Sequence, residues 1–295
     1  MVTFAIRRTL GLIAVLFVLS VLVFLIFFST PGVDPARQMA GRNPNPETIA
    51  NIRHEFGLDR SKPVQYVLMM KHMFWSHDLI SYGSHTKVIP QILSAAPVTF
   101  SLVFGAAVIW VVFSVLTGVA AAVLRGTVLD PILMVLALIG ISVPVFWLGE
   151  VANLLTQSRL HGTFLFSWVP PLGYTPLTQN PFEWFKHLII PWIVLSVLYV
   201  GFYARVLLKH VLRNSLIPIV TLFGLDFAAV LGGGAILTES VFDLHGVGQY
   251  AAQSTLSLDL PPIIGVTIYA TFFIVLFNTL VDLLYAYLDP RIRPT

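Results

Sequence analysis

Six apolar stretches take up most of this 295-residue chain, and each is long enough to cross a lipid bilayer. A bilayer core of about 30 Å requires roughly 20 mostly apolar residues in a helix that rises about 1.5 Å per residue. These stretches do not alternate in polarity as barrel strands do, so we predict helices. With 57% hydrophobic residues, 11% charged residues and a mean hydropathy of +0.85, the chain lies outside the range of soluble proteins. The predicted spans cover residues 9–30, 97–123, 132–156, 188–204, 216–238 and 262–287.

The Lys and Arg residues of the short loops predict the orientation of the chain. The loop at 239–261 has none of them, and the loop at 157–187 has only Arg159 and Lys186. Because positive charge favours the cytoplasmic side, we expect both termini in the cytoplasm. The first stretch is longer than the apolar core of a cleaved signal, so we expect it to remain a membrane helix. The basic residues then placed inside are Arg7, Arg8, Arg125, Arg205, Lys209, Arg213, Arg291 and Arg293.

The long loop at 31–96 is predicted to form an ordered cap outside the membrane. Asn45 can cap a helix that has Pro46 at its first position and stops at Gly57. A second helix is predicted from Pro63 to Trp75. Cysteine is absent, so the cap must hold its shape without disulfides. The loop also contains four residues of types that can bind metal ions, namely His72, His77, Asp78 and His85. Their spacing fits no metal-binding pattern, so we interpret them as polar loop residues.

The chain has no recognisable motor or catalytic motif. It contains no G-x-x-x-x-G-K-[ST] phosphate cradle, no Ser-His-Asp elbow and no H-E-x-x-H helix. We therefore expect no catalytic residue and no resident cofactor or metal. Two classes of transport protein remain, namely a pathway subunit that a partner drives and a carrier that an ion gradient drives. Asp226 is the only acid deep inside a predicted span, which is thin support for a proton relay. A membrane scaffold without transport activity is a third alternative.

Ordered sequence blocks along nearly the whole chain resemble the permeases of binding-protein-dependent ABC importers, in the dipeptide, oligopeptide and nickel branch. The basic run from Arg205 to Pro218 resembles the end of the cytoplasmic signature of that family. The other matching blocks are Arg7-Arg8, Pro31-Gly32, Phe56-Gly57-Leu58-Asp59, Gln65-Tyr66, Ser81-Tyr82-Gly83, Leu124-Arg125-Gly126 with Asp130, Ser142-Val143-Pro144-Val145-Phe146-Trp147, Glu239-Ser240-Val241-Phe242, Gly246-Val247-Gly248 and the tail from Asp282 to Arg293.

The resemblance implies an all-α membrane protein, with six transmembrane helices in a type I ABC importer permease bundle and an external cap between helices 1 and 2. It implies a location in a bacterial or archaeal plasma membrane. The predicted regions are an N-terminal transmembrane helix at 1–30, the cap at 31–96, a five-helix core at 97–287 and a cytoplasmic tail at 288–295.

The resemblance also implies the partners and the mechanism. A solute-binding protein delivers a peptide or similar solute to the outer face, and this chain forms half of the pathway with a second permease, usually a paralogue. Two ATPase subunits or domains carry ATP and Mg²⁺ and drive alternating access. Membrane lipid is the remaining partner, and the net charge of +3 needs no nucleic acid to explain it. Dipeptides, longer peptides, nickel chelates and glutathione all remain open as substrates, as does a homodimer of permeases.

Three sets of residues are predicted to carry this function. The first set is expected beside the ATPase, the second along the translocation path, and the third in an outer loop that faces the binding protein. They are Arg205, Lys209, His210, Arg213 and Asn214 for ATPase coupling; Asp226, Gly232, Gly233 and Gly234 for the path; and Glu239, Phe242, His245 and Gly248 for the outer loop.

One departure from the family pattern lies between Arg205 and Val206. Family members have a cytoplasmic helix here that docks into the ATPase, and about 25 residues of it have no counterpart in this chain. We expect a break in the chain at this bond, which would place the two residues far apart. A continuous chain would instead indicate a natural or engineered deletion that uncouples transport.

Overall fold

The computed structural model describes residues 2–29, 34–40, 45–124, 126–209 and 212–288, and most of these residues lie in helices. The one β-type contact in this part of the chain is an isolated antiparallel bridge between Ile80 and Lys87. The all-α prediction is therefore confirmed for the described residues. The helices are α1 (Val2–Ser29), α2 (Pro35–Met39), α3 (Pro46–Glu55), α4 (Lys62–Phe74), α5 (Val88–Val123), α6 (Leu129–Ser142), α7 (Val145–Asn153), α8 (Pro181–Lys209), α9 (Leu212–Ala229), α10 (Ile236–Val241), α11 (Val247–Leu256) and α12 (Leu260–Leu288), with π-helical turns at Leu154–Arg159 and Val230–Gly234.

Four of the described helices are long and apolar enough to cross a membrane. Their apolar parts cover Thr9–Ile26, Val88–Ala121, Pro181–Ala204 and Leu260–Val281, in α1, α5, α8 and α12. The predicted span at 216–238 is represented by a shorter apolar helix, Val220–Gly234. The described helices therefore give four spans. The count is five if the bent pair of α6 and α7 forms one further span.

The predicted span at 132–156 is bent by 93° where α6 gives way to α7. Pro144 has no N–H to donate to the preceding turn, and its backbone is extended, with φ −61° and ψ 133°. The hydroxyl of Ser142 donates to the carbonyl of Leu138 at 2.8 Å, a local bond that also favours bending. The predicted span is therefore broken at Pro144.

The chain divides into two compact units, and α5, α11 and α12 contribute residues to both. The first unit comprises Met1–Ala96 and Tyr250–Phe272, and the second comprises Pro97–Gln249 and Phe273–Thr295.

The first unit contains the cap, and its two predicted helices are confirmed within one residue or two. The side chain of Asn45 accepts a hydrogen bond from the Glu47 amide at 3.3 Å, and Pro46 is the first helical residue of α3. Gly57 follows the helix with φ +63°, a conformation that favours glycine. Tyr66 on α4 contacts α1, since its hydroxyl lies 2.7 Å from the Ser20 hydroxyl and its ring meets Phe24 edge-on.

The second unit has a core in which small residues let helices approach closely. A Cβ atom on Gly105 of α5 would lie 2.0 Å from the indole of Trp192 on α8. On the other side of α8, a Cβ on Gly201 would lie 2.5 Å from the Ala137 carbonyl of α6. Small residues at such crossings allow tight helix packing in membrane proteins. Trp110 is fully buried in the same core.

Helix α8 continues without interruption through the bond between Arg205 and Val206. Both alternatives for the departure from the family pattern at this bond, an omitted segment and a deletion, therefore stay predictions.

Candidate functional site

The deep acid Asp226 lies on α9 and is paired with Tyr203 on α8. The Tyr203 hydroxyl donates to Asp226 Oδ2 at 2.7 Å. Tyr203 is only 2% exposed, and Asp226 is half-buried. A charged side chain facing lipid would cost about 2.5–3.5 kcal/mol on insertion scales, so a buried hydrogen-bond donor is a strong stabilising partner.

Aromatic side chains of α5, α8, α9 and α12 pack together beside this pair. Trp110 stacks on Tyr199 with ring centroids 4.5 Å apart and meets Phe223 at 5.7 Å. Phe227 continues the cluster and contacts Phe277 at 4.8 Å. The environment of Asp226 is therefore largely apolar, which makes the Tyr203 hydroxyl its principal described polar partner.

The three predicted path glycines form the π-helical turn at the end of α9. Gly233 has φ +141° and ψ −8°, a conformation that breaks the helix and that residues with a side chain rarely adopt. The Ala235 amide donates to the Val230 carbonyl at 3.2 Å, which closes the wide turn. The chain therefore bends at Gly232, Gly233 and Gly234, and α10 begins at Ile236.

The carboxylate of Glu239 is the centre of a buried hydrogen-bond cluster and is 0% exposed. Its Oε1 accepts from the Thr99 hydroxyl at 2.6 Å, and its Oε2 accepts from the Gln249 amide at 2.8 Å. The Thr99 oxygen in turn accepts from the Val247 amide at 2.9 Å, at the first residue of α11. Burial raises the pKa of Glu239, and these donors oppose that rise.

The Glu239 carboxylate also explains the Gly246-Val247-Gly248 block. A Cβ atom on Gly246 would lie 2.4 Å from the carboxyl carbon of Glu239, and one on Gly248 would lie 2.9 Å from Oε2. Neither space is available for a larger residue. The two glycines therefore let the start of α11 close over the carboxylate.

Of the four predicted outer-loop residues, His245 alone is exposed. Its ring is 69% exposed, whereas Glu239, Phe242 and Gly248 are buried. Asp243 and His245 both have positive φ, at 52° and 61°, and Gln249 holds the turn by accepting from the His245 amide at 2.6 Å and donating to Asp243 Oδ1 at 2.8 Å. The buried residues shape the turn, and the His245 ring lies at its exposed surface.

The predicted ATPase-coupling residues are described only by their backbone or not at all. Arg205 and Lys209 lie on α8, and Arg213 and Asn214 lie on α9, with side chains outside the description. His210 lies outside the described residues. These five residues are not brought into a described site.

A buried carboxylate that the sequence analysis missed lies in the first unit. Asp259 is 4% exposed, and it accepts from the Tyr82 amide at 2.9 Å, the Gly83 amide at 3.0 Å and the Ser81 hydroxyl. Burial raises the pKa of Tyr82 beyond its usual range, with the Asp259 charge adding to the rise. The Ser81-Tyr82-Gly83 block was visible in the sequence, but nothing in the sequence linked it to Asp259. The hydrogen-bonded residues are separated by 176 to 178 positions in the chain.

The histidines of the cap do not converge. His72 bonds to Asp78 at 2.8 Å, and His77 bonds to the Trp75 carbonyl. No group of three His, Asp or Glu side chains in the described part of the chain is arranged to hold a metal ion.

Two family models together match almost the entire sequence. Residues 1–103 match the N-terminal part of the membrane component of binding-protein-dependent transport systems. Residues 114–209 and 204–294 match the inner membrane component of the same systems. The two parts of the second match meet at 204–209, the place where the sequence departs from the family pattern.

Relatives of similar length are named as permeases of peptide or glutathione transport systems. A protein of Brucella abortus named as a peptide transport system permease is 33% identical over 320 residues, which cover 99% of each chain. The dipeptide transport system permease protein DppB of Alkalihalophilus pseudofirmus is 30% identical over 341 residues, covering 99% of this chain and 100% of the relative. The glutathione transport system permease protein GsiC of Salmonella choleraesuis is 32% identical over 320 residues, covering 99% of each chain. Each aligned span exceeds the 295 residues of this chain, so each alignment sets residues of the relative against gaps in it.

The chain belongs to the family of binding-protein-dependent transport system inner membrane components. It is a multi-pass permease subunit of an ABC importer in the inner membrane, and it is not an enzyme.

Proposed function

We propose that this chain forms half of the pathway through which an ATP-driven importer moves peptides or similar small solutes. The observation that carries the proposal is similarity over 99% of the chain to relatives named for peptide, dipeptide and glutathione transport. Because these names cover several kinds of peptide, we define the proposed solute only as a short peptide or a peptide-like compound.

The proposed orientation has both termini in the cytoplasm, as the basic residues of the short loops favour. The run from Arg205 to Asn214 then faces the ATPase partners, which hold ATP and Mg²⁺. A second permease, a paralogue of this chain, completes the pathway. A solute-binding protein outside the membrane delivers the solute.

The proposed moving element is the junction of α9 and α10 at Gly233. This residue separates two packed arrangements, the Tyr203–Asp226 pair on one side and the Glu239 cluster on the other. A change at Gly233 would let one side shift while the hydrogen bonds of the other persist. ATP and the binding protein drive such a change only if each prefers a different state.

The proposed contact for the binding protein is the turn that carries His245. The ring is exposed, and its backbone is fixed by Gln249 and by the buried residues around Glu239. A rigid turn with an exposed tip can contact a partner with little loss of conformational entropy.

The absence of the docking segment after Arg205 is proposed to weaken coupling to the ATPase. The basic residues on both sides of the Arg205–Val206 bond remain, so the ATPase still has a charged surface to contact. We expect ATP-driven uptake that is slow but still dependent on the binding protein.

The experiment is reconstitution of the chain with its partner subunits in proteoliposomes, with labelled peptide and binding protein outside. The proposal expects uptake that requires ATP and the binding protein and that persists when the proton gradient is dissipated. Uptake by the chain alone that collapses with the gradient would instead establish an ion-coupled carrier.

A further inference from the structure

Helix α4 of the cap contacts α1 at a depth that lies inside the membrane. The apolar part of α1 ends at Ile26, and Ser20 lies six residues before that end, which is about 9 Å of helix at about 1.5 Å per residue. The Tyr66 hydroxyl lies 2.7 Å from the Ser20 hydroxyl. Because a tyrosine side chain spans less than that depth, this contact keeps the backbone of α4 near Tyr66 at the level of the membrane boundary.

Two ring contacts of Tyr66 support this depth. The ring meets Phe24 edge-on with centroids 5.4 Å apart, and it meets Phe17, one to two helical turns deeper on α1, at 6.3 Å. Phe17 is 59% exposed on a helix that buries few of its residues, so it belongs to the surface that α1 presents to lipid. The contact between α4 and α1 therefore borders the lipid-facing surface of a membrane span.

The two sides of α4 differ in their exposure to solvent. The buried residues recur every four positions and lie on one face of the helix; they are Gln65, Met69 and Met73. The opposite face carries an exposed apolar stripe, called here the α4 stripe, which consists of Val64, Val67, Phe74 and Trp75. Val67 is 62% exposed and Trp75 is 84% exposed, and no described residue covers this face.

The charge of α4 is positive, since the helix contains Lys62 and Lys71 and no Asp or Glu. Lys71 is exposed within the α4 stripe and forms none of the ion pairs found in the described part of the chain. A lysine among apolar side chains can extend its ammonium group to lipid phosphate while its stem stays in the apolar layer. Trp75, at the C-terminal end, has the amphipathic ring typical of a membrane interface.

These features match a helix that lies in the membrane surface better than a site for a soluble partner. Helices of the interface combine basic residues with a face of large apolar and aromatic side chains. Val67 is the neighbour of Tyr66, so a soluble protein would have to reach the membrane boundary to cover it. Lipid is already present at that level beside Phe17.

We propose that α4 is an interfacial helix that binds membrane lipid through the α4 stripe. Val67 and Phe74 contact acyl chains, Trp75 lies among the headgroups, and Lys71 pairs with a lipid phosphate. The leaflet is the one at the C-terminal end of α1, which is the outer leaflet in the proposed orientation. The contact anchors the cap to the membrane, and it depends on neither the solute nor the ATPase.

The test uses spin labels on the full chain in vesicles of phosphatidylethanolamine and phosphatidylglycerol. The chain has no cysteine, so a single introduced cysteine carries the only nitroxide. Collision of the label with oxygen, which concentrates in lipid, is compared with collision with a water-soluble nickel chelate. Labels at Val67→Cys and Phe74→Cys should give an oxygen-to-nickel ratio severalfold above that of Thr48→Cys, an exposed position on α3. Leu22→Cys on α1 is the membrane reference.

A second measurement leaves the α4 stripe without a label. The difference in emission between wild type and Trp75→Phe isolates the fluorescence of Trp75 from that of the other tryptophans. Most of this difference should be lost in vesicles whose acyl chains are brominated near the headgroup. A difference of equal intensity in brominated and plain vesicles would overturn the proposal.

The proposal is also overturned if the labels at positions 67 and 74 collide with the nickel chelate as freely as the label at position 48. If added solute-binding protein then shields those two labels, the α4 stripe is a docking surface for that protein instead. None of these measurements depends on uptake, so the proposed transport function is tested separately.

Discussion

The Tyr203 hydroxyl donates a hydrogen bond of 2.7 Å to the carboxylate of Asp226, joining α8 to α9 inside an aromatic core. Removing the hydroxyl with Tyr203→Phe leaves the carboxylate without this donor. We expect a loss of about 1–2 kcal/mol in the free energy of unfolding, measured in detergent with denaturant.

The matched control for this pair is Tyr199→Phe. It removes a hydroxyl one helical turn away, for which no hydrogen bond to another described residue is found. Equal free energies of unfolding for Tyr203→Phe and Tyr199→Phe would show that the Tyr203–Asp226 hydrogen bond does not stabilise the fold. Wild-type peptide uptake in Asp226→Ala would, in addition, remove Asp226 from the proposed path.

The helix content, the broken span and the cap helices could be predicted from the sequence because each depends on local chemistry. Pro144 lacks an N–H, Asn45 caps a helix next to Pro46, and consecutive glycines permit a bend. The count of spans was less predictable, since length and hydropathy alone do not show where a bend divides an apolar stretch.

The contacts between distant residues could not be predicted in the same way. Glu239 looked like a loop residue because it follows an apolar run, yet it is fully buried beneath two glycines. The partners of Asp259 lie more than 170 residues earlier in the chain. Only packing in three dimensions shows that such carboxylates accept hydrogen bonds from backbone amides.

Glu239 should make stability depend on pH in a defined direction. Burial raises its pKa in the folded protein above the unfolded value near 4.5, so the folded state holds the proton more tightly. The contribution of this group to stability is therefore largest below pH 4.5 and falls as the pH rises from there through the folded pKa. In Glu239→Gln, which cannot ionise, this part of the dependence should vanish in thermal unfolding measured across that window.

A pH profile of Glu239→Gln parallel to that of wild type would contradict this account of Glu239. Asp243→Asn is the comparison variant, because Asp243 is exposed at the neighbouring turn. Its profile should retain the dependence seen in wild type.

Asp259 should stabilise the segment that carries Ser81, Tyr82 and Gly83. Asp259→Ala leaves two backbone amides and a hydroxyl without their acceptor, which should destabilise the first unit by about 2–4 kcal/mol. Ser81→Ala removes only one of these three donors and should have the smaller effect. Hydrogen exchange at the amides of Tyr82 and Gly83 measures the change directly.

Slow exchange at these two amides in Asp259→Ala, equal to that in wild type, would show that the carboxylate does not hold them. Exchange at α9 amides in the second unit provides the internal reference. The exchange rates of these α9 amides should be the same in wild type, Asp259→Ala and Ser81→Ala.

Restoring the missing segment should strengthen coupling to the ATPase. We expect that inserting the cytoplasmic docking helix of a family member at the Arg205–Val206 bond raises peptide uptake per ATP hydrolysed severalfold. A Gly/Ser linker of equal length is the control, because it restores chain length without a docking helix. Equal rates with the linker and the native segment would mean that the missing residues carry no coupling contact.

The central claim is that this chain is a conduit whose driving force comes from partner subunits. The most direct measurement is labelled peptide uptake into proteoliposomes that contain the chain with or without its ATPase partners. We predict uptake only with the ATPase, ATP and the binding protein together, at the same rate after the proton gradient is dissipated. Uptake by the chain alone, driven by an ion gradient, would contradict the account.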